Sequence, residues 1–182
     1  MATALLVIDM QNFFLAETFS SLPKVLRLIS HFHSTSHPII FTQHGHTKSE
    51  LTPPFQNQLV KKWGKSGSIA QGTKQWELIP EIAEAAKGYP VVAKNSFDAF
   101  VNTGLEERLR GKGVERVVVC GVLTDCCCDT TAKSAFNRGF ETLLVGDACG
   151  AASKMFQEKS LQVFGKYYDR VVDTEEALKM MG

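Results

Sequence analysis

Short runs of aliphatic and β-branched residues recur along the chain, with room for a helix between one run and the next. The first two runs are residues 4–8 and 38–42, and residues 22–36 between them have apolar side chains at helical spacing. Most of the runs are apolar at successive positions, which is typical of parallel strands covered by helices on both faces. The order strand, helix, strand therefore predicts a βαβ unit at the start of the chain.

The same alternation continues to the end of the chain. Further strands are predicted at 91–93, 114–120, 142–145 and 170–172, and further helices at 78–87, 104–111, 125–138, 152–164 and 175–180. The pattern predicts a single α/β domain over 1–182, built on a doubly wound, mostly parallel sheet of about six strands with helices on both faces. Residues 43–77 have no clear period, and we interpret them as an excursion over the rim of the active site, called the rim segment below.

Size and charge restrict what such a domain needs and binds. A chain of 182 residues hides roughly 70% of its extended surface on folding, so the core needs no metal or disulfide to be completed. Lys and Arg total 20 against 19 Asp and Glu, and the two signs are mixed along the chain. No strong electrostatic field is expected to attract nucleic acid or an anionic membrane, and we predict neither partner.

The amino terminus and the cysteines indicate the compartment. No basic segment precedes the first apolar run, which is too short to span a bilayer, so neither a secretory signal nor a membrane helix is indicated. Cys126, Cys127 and Cys128 are consecutive among five cysteines, a layout that suits neither a disulfide framework nor a zinc site. We expect reduced thiols and a cytoplasmic location, although export without a leader would leave no trace in the sequence.

Polar residues follow three of the predicted strands: Asp9 after the first, Lys94 after the third, and the cysteine run after the fourth. The topology gathers these strand ends at one edge of the sheet, where ligands of doubly wound folds bind. Thr124 is predicted to cap the helix at 125–138, and a thiol at that helix end would have a pKa lowered from about 8.5. Asp9 could then accept the thiol proton and Lys94 could balance the charge. Considered singly, each residue also fits a structural role, and the residues alone do not choose among the three cysteines.

Three blocks of sequence resemble motifs of one known family. They are residues 5–12 (LLVIDMQN), 94–100 (KNSFDAF) and 121–132 (GVLTDCCCDTTA), and they resemble the isochorismatase-like cysteine hydrolases, a family that includes nicotinamidases and N-carbamoylsarcosine amidases. The resemblance implies a catalytic triad of Asp9, Lys94 and Cys127. It also implies a cis peptide between Val122 and Leu123, and an oxyanion hole made by the amides of Leu123 and Cys127.

The cofactor prediction rests on departures from that family. No G-x-G-x-x-G follows the first strand, so a nucleotide cofactor is not expected. Metal-binding nicotinamidases carry D-x-H after the second strand and a further histidine before a Q-G-T segment. This chain has His44-Gly-His46 and, before its own Q-G-T, Ser68. Two histidines hold a divalent ion such as zinc poorly, so we predict no required cofactor and expect His44 and His46, the weak metal candidates, to line or gate the pocket.

Aromatic residues are the remaining candidates for substrate binding. Phe14 and Trp63 resemble ring-contacting positions of the nicotinamidases. Phe97 and Phe100 fit a pocket wall and core packing about equally, and Phe97 is included among the substrate-binding candidates.

The resulting prediction is an amidohydrolase that cleaves a small planar carboxamide through a cysteine thioester. One alternative is isochorismatase-type hydrolysis of a vinyl ether, which releases pyruvate and needs an acid such as Asp9 but no thiol. Another is a non-catalytic member of the family that acts by binding. A small-molecule substrate is the expected partner, and the resemblance also implies a homo-oligomer.

Overall fold

The computed structural model describes residues 1–181, and its strands form one six-stranded sheet. The strands are β1 Thr3–Ile8, β2 Ile39–His44, β3 Val91–Lys94, β4 Arg116–Val122, β5 Glu141–Gly150 and β6 Arg170–Val172. They lie in the order β3-β2-β1-β4-β5-β6, and every neighbouring pair is parallel. The predicted doubly wound α/β class is confirmed, with a sheet that is parallel throughout.

The strand order creates a crevice at the centre of the sheet. The chain builds outward from β1 to β3 on one side and then crosses to β4, which pairs with β1, before building outward on the other side. At such a switch point the connections that follow the two central strands diverge, so a crevice opens beyond their carboxyl ends. The sequences that follow β1 and β4 are the ones that carry the predicted Asp9 and Cys127.

Helices cover both faces of the sheet. They are α1 Leu15–Thr18, α2 Leu22–Ser34, α3 Gln58–Trp63, α4 Pro80–Ala85, α5 Leu105–Gly111, α6 Asp129–Asn137, α7 Lys154–Tyr167 and α8 Thr174–Met181. Side chains of α2, α4 and α8 pack on one face with Leu5 and Val7 of β1, and side chains of α5, α6 and α7 pack on the other with Leu6 and Ile8. β1 is therefore buried on both faces, as its apolar run predicted. In residues 1–181 we find no helix that combines the length and the apolar character needed to cross a membrane.

Several predicted boundaries differ from the structure by a few residues, and those of β5 and α4 have clear physical reasons. β5 continues to Gly150, whereas its prediction ended at residue 145, because Gly146 and Asp147 interrupt the apolar pattern while pairing with β4 carries the strand onward. α4 begins at Pro80 rather than at residue 78, since proline suits the first helical position and lacks the amide that later positions must donate.

The rim segment is more ordered than its sequence indicated. It includes the end of β2 and the short helix α3, which the absence of a clear period did not predict. The side chain of Asn57 caps this helix by accepting a hydrogen bond of 2.8 Å from the amide of Leu59. The cap stabilises a helix that is too short for its hydrophobic periodicity to be recognised in the sequence.

The start of the predicted helix at 125–138 is also different. Residues Thr124–Cys128 form a π-helical turn that leads into α6, and Leu123 rather than Thr124 occupies the N-cap position. The Thr124 hydroxyl is buried and makes no hydrogen bond. The prediction that Thr124 caps this helix is therefore wrong, because the helical turn begins one residue earlier than the sequence suggested.

Candidate active site

Asp9, Lys94 and Cys127 come together beyond the carboxyl ends of β1, β3 and β4. The Lys94 ammonium lies 2.7 Å from Asp9 Oδ2 and donates a hydrogen bond of 3.3 Å to Cys127 Sγ. All three residues are buried. The structure thus brings the three predicted side chains into one contact group, with the ammonium between the carboxylate and the sulfur.

The ammonium of Lys94 is held by backbone as well as by its charged partner. It donates to the carbonyl of Ser96 at 2.8 Å and to that of Phe97 at 3.5 Å, both in the turn that follows β3. Burial lowers the pKa of Lys94, but the neighbouring Asp9 and Cys127 raise that pKa by more, and the net pKa is above its ordinary value. Lys94 is therefore a fixed cation and not a proton donor at physiological pH.

Asp9 is fixed by Thr42 on the adjacent strand β2. The Thr42 hydroxyl donates a hydrogen bond of 2.6 Å to Asp9 Oδ1 and accepts one of 3.1 Å from the Asp9 amide. Asp9 has a left-handed φ of 48°, a conformation that aspartate tolerates better than most residues. One carboxylate oxygen thus faces Thr42 while the other faces Lys94, so the carboxylate orientation is determined from two sides.

The state of the thiol differs from the prediction. Burial raises the pKa of Cys127, the Lys94 ammonium lowers it and the Asp9 carboxylate raises it again, which leaves the pKa above its ordinary value. The prediction of a thiol whose pKa is lowered by a helix end is wrong, because Cys127 is almost completely buried and desolvation outweighs the favourable charge. Cys127 is therefore a neutral thiol at physiological pH.

The backbone around Cys127 is wound tightly. The peptide bond between Val122 and Leu123 is cis, at the position that the resemblance implied. The amides of Cys126 and Cys128 both donate to the carbonyl of Leu123, at 3.1 and 3.0 Å. Just before this turn, Gly121 lies against β1, where a Cβ would overlap the carbonyl oxygen of Ile8. Glycine at that position allows β1 and β4 to approach closely and so brings Asp9 near Cys127.

His44 and His46 form a second polar group beside the triad. Their rings are nearly perpendicular, with centroids 5.1 Å apart, and both side chains are buried. Burial and, to a smaller extent, the nearby Lys94 ammonium together lower the pKa of His44 to about 4, against the opposing effect of Asp9. Burial also lowers the pKa of His46, with Glu50 acting in the opposite direction. Both imidazoles are therefore neutral at pH 7.

Gln11 fixes the end of β2 that carries these histidines. Its side chain accepts a hydrogen bond of 2.8 Å from the His44 amide and donates to the carbonyls of His44 and Trp76, at 2.9 and 2.7 Å. Gly45 separates the two histidines, and a Cβ there would collide with the indole of Trp76. The H-G-H pattern thus places two imidazoles against the site on a backbone that packs directly on Trp76.

A cavity of about 280 Å³ opens above the triad. Its wall is mostly apolar and aromatic, and both histidines and Cys127 are among its lining residues. The lining residues are Phe13, Phe14, His44, His46, Leu59, Trp63, Gly67, Ser68, Ile69, Phe97, Leu123, Cys126 and Cys127. The predicted substrate-binding residues Phe14, Trp63, His44, His46 and Phe97 are all in this wall. Phe100 is instead buried in the core, where its ring stacks on Phe140 with centroids 6.2 Å apart.

Comparison with known proteins decides the family. Residues 3–176 match the isochorismatase domain family. The chain belongs to the isochorismatase-like cysteine hydrolases. It is 35% identical over 174 residues to nicotinamidase 3 of Arabidopsis thaliana, with coverage of 95% of this chain and 85% of the relative.

Solved structures of isochorismatase-like proteins share the fold. A cysteine hydrolase from Pseudomonas syringae pv. phaseolicola superposes with a TM-score of 0.90 at 21% identity, over 99% of this chain and 92% of the other. A pyrazinamidase of Pyrococcus horikoshii, solved in complex with zinc, superposes with a TM-score of 0.79 at 26% identity, over 95% of this chain and 99% of the other.

The zinc in that relative raises the question of whether this hydrolase can hold one. A ring nitrogen of His44, a carboxylate oxygen of Asp9 and Cys127 Sγ lie within 4.8 Å of one another. However, the Lys94 ammonium contacts two of these three groups and already supplies the positive charge that a metal would bring. At the third ligand position the Ser68 hydroxyl donates to the carbonyl of Gly64 at 2.8 Å. The residues of this hydrolase therefore do not fit a resident metal ion.

Some residues that shape the site were not found by sequence reasoning. Phe13, Leu59 and Ile69 line the cavity, and Thr42 and Gln11 orient Asp9 and His44. The signal for Thr42 was a polar residue inside an apolar strand, and the signal for Gln11 was its place in the motif that begins at Leu5. Neither signal by itself distinguishes a positioning residue from an ordinary buried polar residue.

Proposed function

We propose that this protein is a cysteine amidohydrolase that cleaves a small, uncharged, planar carboxamide through a thioester on Cys127. The observation that carries the proposal is the position of Cys127 Sγ. Cys127 lines the cavity, and its sulfur contacts the Lys94 ammonium, which is paired with Asp9. A nucleophile, a proton acceptor and a fixed cation thus meet at the wall of one small-molecule cavity.

The first half of the reaction forms the thioester. Cys127 Sγ attacks the carboxamide carbon while its proton passes to Asp9, so the sulfur needs no standing negative charge. The amides of Leu123 and Cys127 donate to the oxygen that becomes negative, and each such donor is worth roughly 3 kcal/mol in the barrier. Asp9 then returns the proton to the leaving nitrogen, the C–N bond breaks and ammonia departs.

The second half releases the acid. A water molecule attacks the thioester carbon, Asp9 accepts its proton, and the C–S bond breaks as the sulfur regains a proton. Throughout both halves Lys94 keeps the carboxylate oriented and its charge balanced. The free thiol and the Asp9 carboxylate are restored at the end of the cycle.

The cavity wall indicates the class of substrate. Among the lining residues within 1–181 no side chain is a lysine, an arginine or an acid. An anionic substrate would find no opposite charge there, whereas a flat neutral ring can pack between Phe14, Trp63 and Phe97. The names of the relatives support the same class, since nicotinamidase and pyrazinamidase both refer to amides of small aromatic rings.

Vinyl ether hydrolysis is the competing reaction within the family. It would use Asp9 to protonate the enol carbon and would need no thiol. Isochorismate carries two carboxylates, which the apolar wall does not match. A Cys127→Ala protein that still releases pyruvate from isochorismate would establish that reaction and overturn the amidase proposal.

The deciding experiment is a substrate panel on the purified protein. Ammonia release is measured from nicotinamide, pyrazinamide and benzamide, and pyruvate release is measured from isochorismate. Ammonia from at least one neutral aromatic amide, lost in Cys127→Ala, is the expected result. No turnover of any amide, together with saturable binding of one of them by calorimetry, would instead support a binding protein. We also propose that the protein self-associates, as the family resemblance implies, and multi-angle light scattering measures the assembled mass.

A further inference from the structure

His44 lies closer to the reacting atoms than a residue of the cavity wall needs to. One of its ring nitrogens is within 4.8 Å of both Cys127 Sγ and a carboxylate oxygen of Asp9. The side chain is only 7% exposed, and its Nδ1 makes no hydrogen bond. The roles already given to Asp9, Lys94 and Cys127 leave this buried imidazole without a function.

The spacing of His44 and Asp9 suits a single water molecule. A water that donates one hydrogen bond of ordinary length to each of two acceptors holds those acceptors about 4.4 Å apart. The ring nitrogen of His44 and the Asp9 oxygen lie no more than 4.8 Å apart, a limit that admits such a water, and both lie within the same limit of the sulfur that would carry the acyl group. We propose that His44 is a further catalytic residue, which together with Asp9 holds the water that hydrolyses the Cys127 thioester.

This inference rests on the proposed amidohydrolase function and assigns a residue to its second half. Water bound by both acceptors directs its oxygen lone pair to the thioester carbon. As the new C–O bond forms, one water proton passes to Asp9 and the other hydrogen bond stays on His44. The C–S bond then breaks, the proton on Asp9 passes to the sulfur, and the products are a carboxylic acid and the free thiol.

The surroundings keep His44 ready to accept a hydrogen bond. The ring is neutral because it is buried and lies near the Lys94 ammonium, so one ring nitrogen retains its lone pair. Gln11 fixes the backbone on which the ring is carried. A neutral acceptor also avoids adding a second negative charge beside Asp9, which a carboxylate at residue 44 would do unless a cation were bound.

His46 provides a matched comparison within the same cavity. Its Nδ1 lies 3.8 Å from Glu50 Oε1, and His46 does not belong to the group of atoms from Asp9, His44 and Cys127 that lie within 4.8 Å of one another. The two histidines share residue type, burial and strand end, but only His44 belongs to the group that surrounds the sulfur. A difference between variants at residues 44 and 46 therefore reports on contact with the reacting atoms and not on loss of an imidazole from the wall.

The test separates the two halves of the reaction. Rapid-quench measurements on nicotinamide, or on the best amide of the panel, give the rate of ammonia release in the first turnover, and intact-protein mass spectrometry follows the decay of the acyl adduct on Cys127. In His44→Phe we expect adduct decay to slow by about 100-fold, the lower range for loss of an acid or base contact, while ammonia release changes much less. His44→Gln keeps an acceptor and should recover part of the decay rate. His46→Phe should weaken substrate binding without accumulating the adduct.

The outcomes distinguish this inference from the proposed function. Wild-type protein that forms no adduct with any amide contradicts the amidohydrolase proposal itself. Wild-type protein that forms an adduct, with equal adduct decay in His44→Phe, contradicts only the role of His44. Because a phenylalanine could disturb folding, His44→Ala is measured with and without added imidazole. Restoration of adduct decay by imidazole supports the assignment, and a soluble, folded variant with wild-type decay overturns it.

Discussion

His44 and Lys94 are register partners at the carboxyl ends of β2 and β3, so a neutral imidazole lies beside a buried ammonium. On the other side of β2, Asp9 directly follows the end of strand β1, and the turn after β4 carries Cys127. Four adjacent strands therefore each contribute one side chain to the site. Because the strands are parallel, their carboxyl ends share one edge of the sheet, which brings the four side chains together.

Removal of the Lys94 charge should destabilise the protein as well as inactivate it. Lys94→Met leaves the Asp9 carboxylate buried without its partner, and breaking a buried ion pair costs about 3–5 kcal/mol. Urea unfolding measures the loss. The double variant Asp9→Asn, Lys94→Met should be more stable than Lys94→Met alone, since it no longer buries an unpaired charge. Additive losses in the double variant would show that the pair is not coupled.

Thr42 should act on the rate through Asp9. Thr42→Val keeps the shape of the strand but removes the hydroxyl that donates to Asp9 Oδ1, a hydrogen bond to a charged group that is worth roughly 1.5–3 kcal/mol. We expect kcat to fall about tenfold to a hundredfold by the same free energy, with little change in KM because the hydroxyl does not line the cavity. Thr42→Ser restores the donor and should restore most of kcat. Equal activity of the valine and serine variants would contradict this role.

The raised pKa of Cys127 gives a pH dependence with a definite sign. Since the folded thiol is protonated at neutral pH, its alkylation by iodoacetamide should be slow there and should increase as pH rises, roughly 100-fold between pH 7 and pH 9 if the thiolate alone reacts. Peptide mapping by mass spectrometry separates Cys127 from Cys126 and Cys128. A labelling rate at Cys127 that is already constant above pH 7 would indicate a standing thiolate and contradict the desolvation argument.

The same raised pKa also makes the free energy of unfolding depend on pH. The unfolded thiol ionises near pH 8.5 while the folded one stays protonated, so the contribution of Cys127 is present below that pH and is lost as pH rises toward the folded pKa. The free energy of unfolding should therefore fall between pH 8.5 and pH 10 more steeply in the wild type than in Cys127→Ala. Parallel curves would contradict a raised folded pKa.

The activity of the wild type should not depend on a metal, and two substitutions should introduce a zinc site. Treatment of the wild type with a chelator, followed by buffer exchange, should leave the rate of amide hydrolysis unchanged. The double variant His44→Asp, Ser68→His supplies the aspartate and the further histidine that metal-binding nicotinamidases carry, and it should bind zinc more tightly than the wild type by calorimetry. Loss of wild-type activity on chelation, with recovery on adding zinc, would contradict the conclusion that Lys94 and Ser68 exclude a resident ion.

The sequence predicted the framework because the framework depends on local patterns. The six strands, the two-sided covering of the sheet and the rim segment over the cavity follow from apolar runs and turn residues that can be recognised one element at a time. Asp9, Lys94 and Cys127 were recognised by their resemblance to motifs, since position after a strand did not by itself choose Cys127 over its neighbours. Part of the cavity wall was also predicted from the sequence, namely Phe14, Trp63 and Phe97.

What the sequence could not predict depends on burial and on contacts between distant residues. The pKa of Cys127 is set by desolvation, which a helix-end argument ignores, and so its predicted direction was wrong. The hydrogen bonds from Thr42 to Asp9 and from Gln11 to the end of β2 join residues far apart in the chain. The helix α3 has too few residues to show a period. The turn before α6 begins one residue earlier than predicted, so Leu123 and not Thr124 occupies the N-cap position.

The most direct test of the account is the mass of the enzyme during turnover. Wild-type protein is mixed with the best amide substrate, quenched in acid within milliseconds and measured intact, and the modified residue is located by peptide mapping. The account predicts an added acyl group on Cys127 that hydroxylamine removes, present in Cys126→Ser and absent in Cys127→Ser. Amide hydrolysis that proceeds at the wild-type rate in Cys127→Ser, or an acyl group found on another residue, would contradict it.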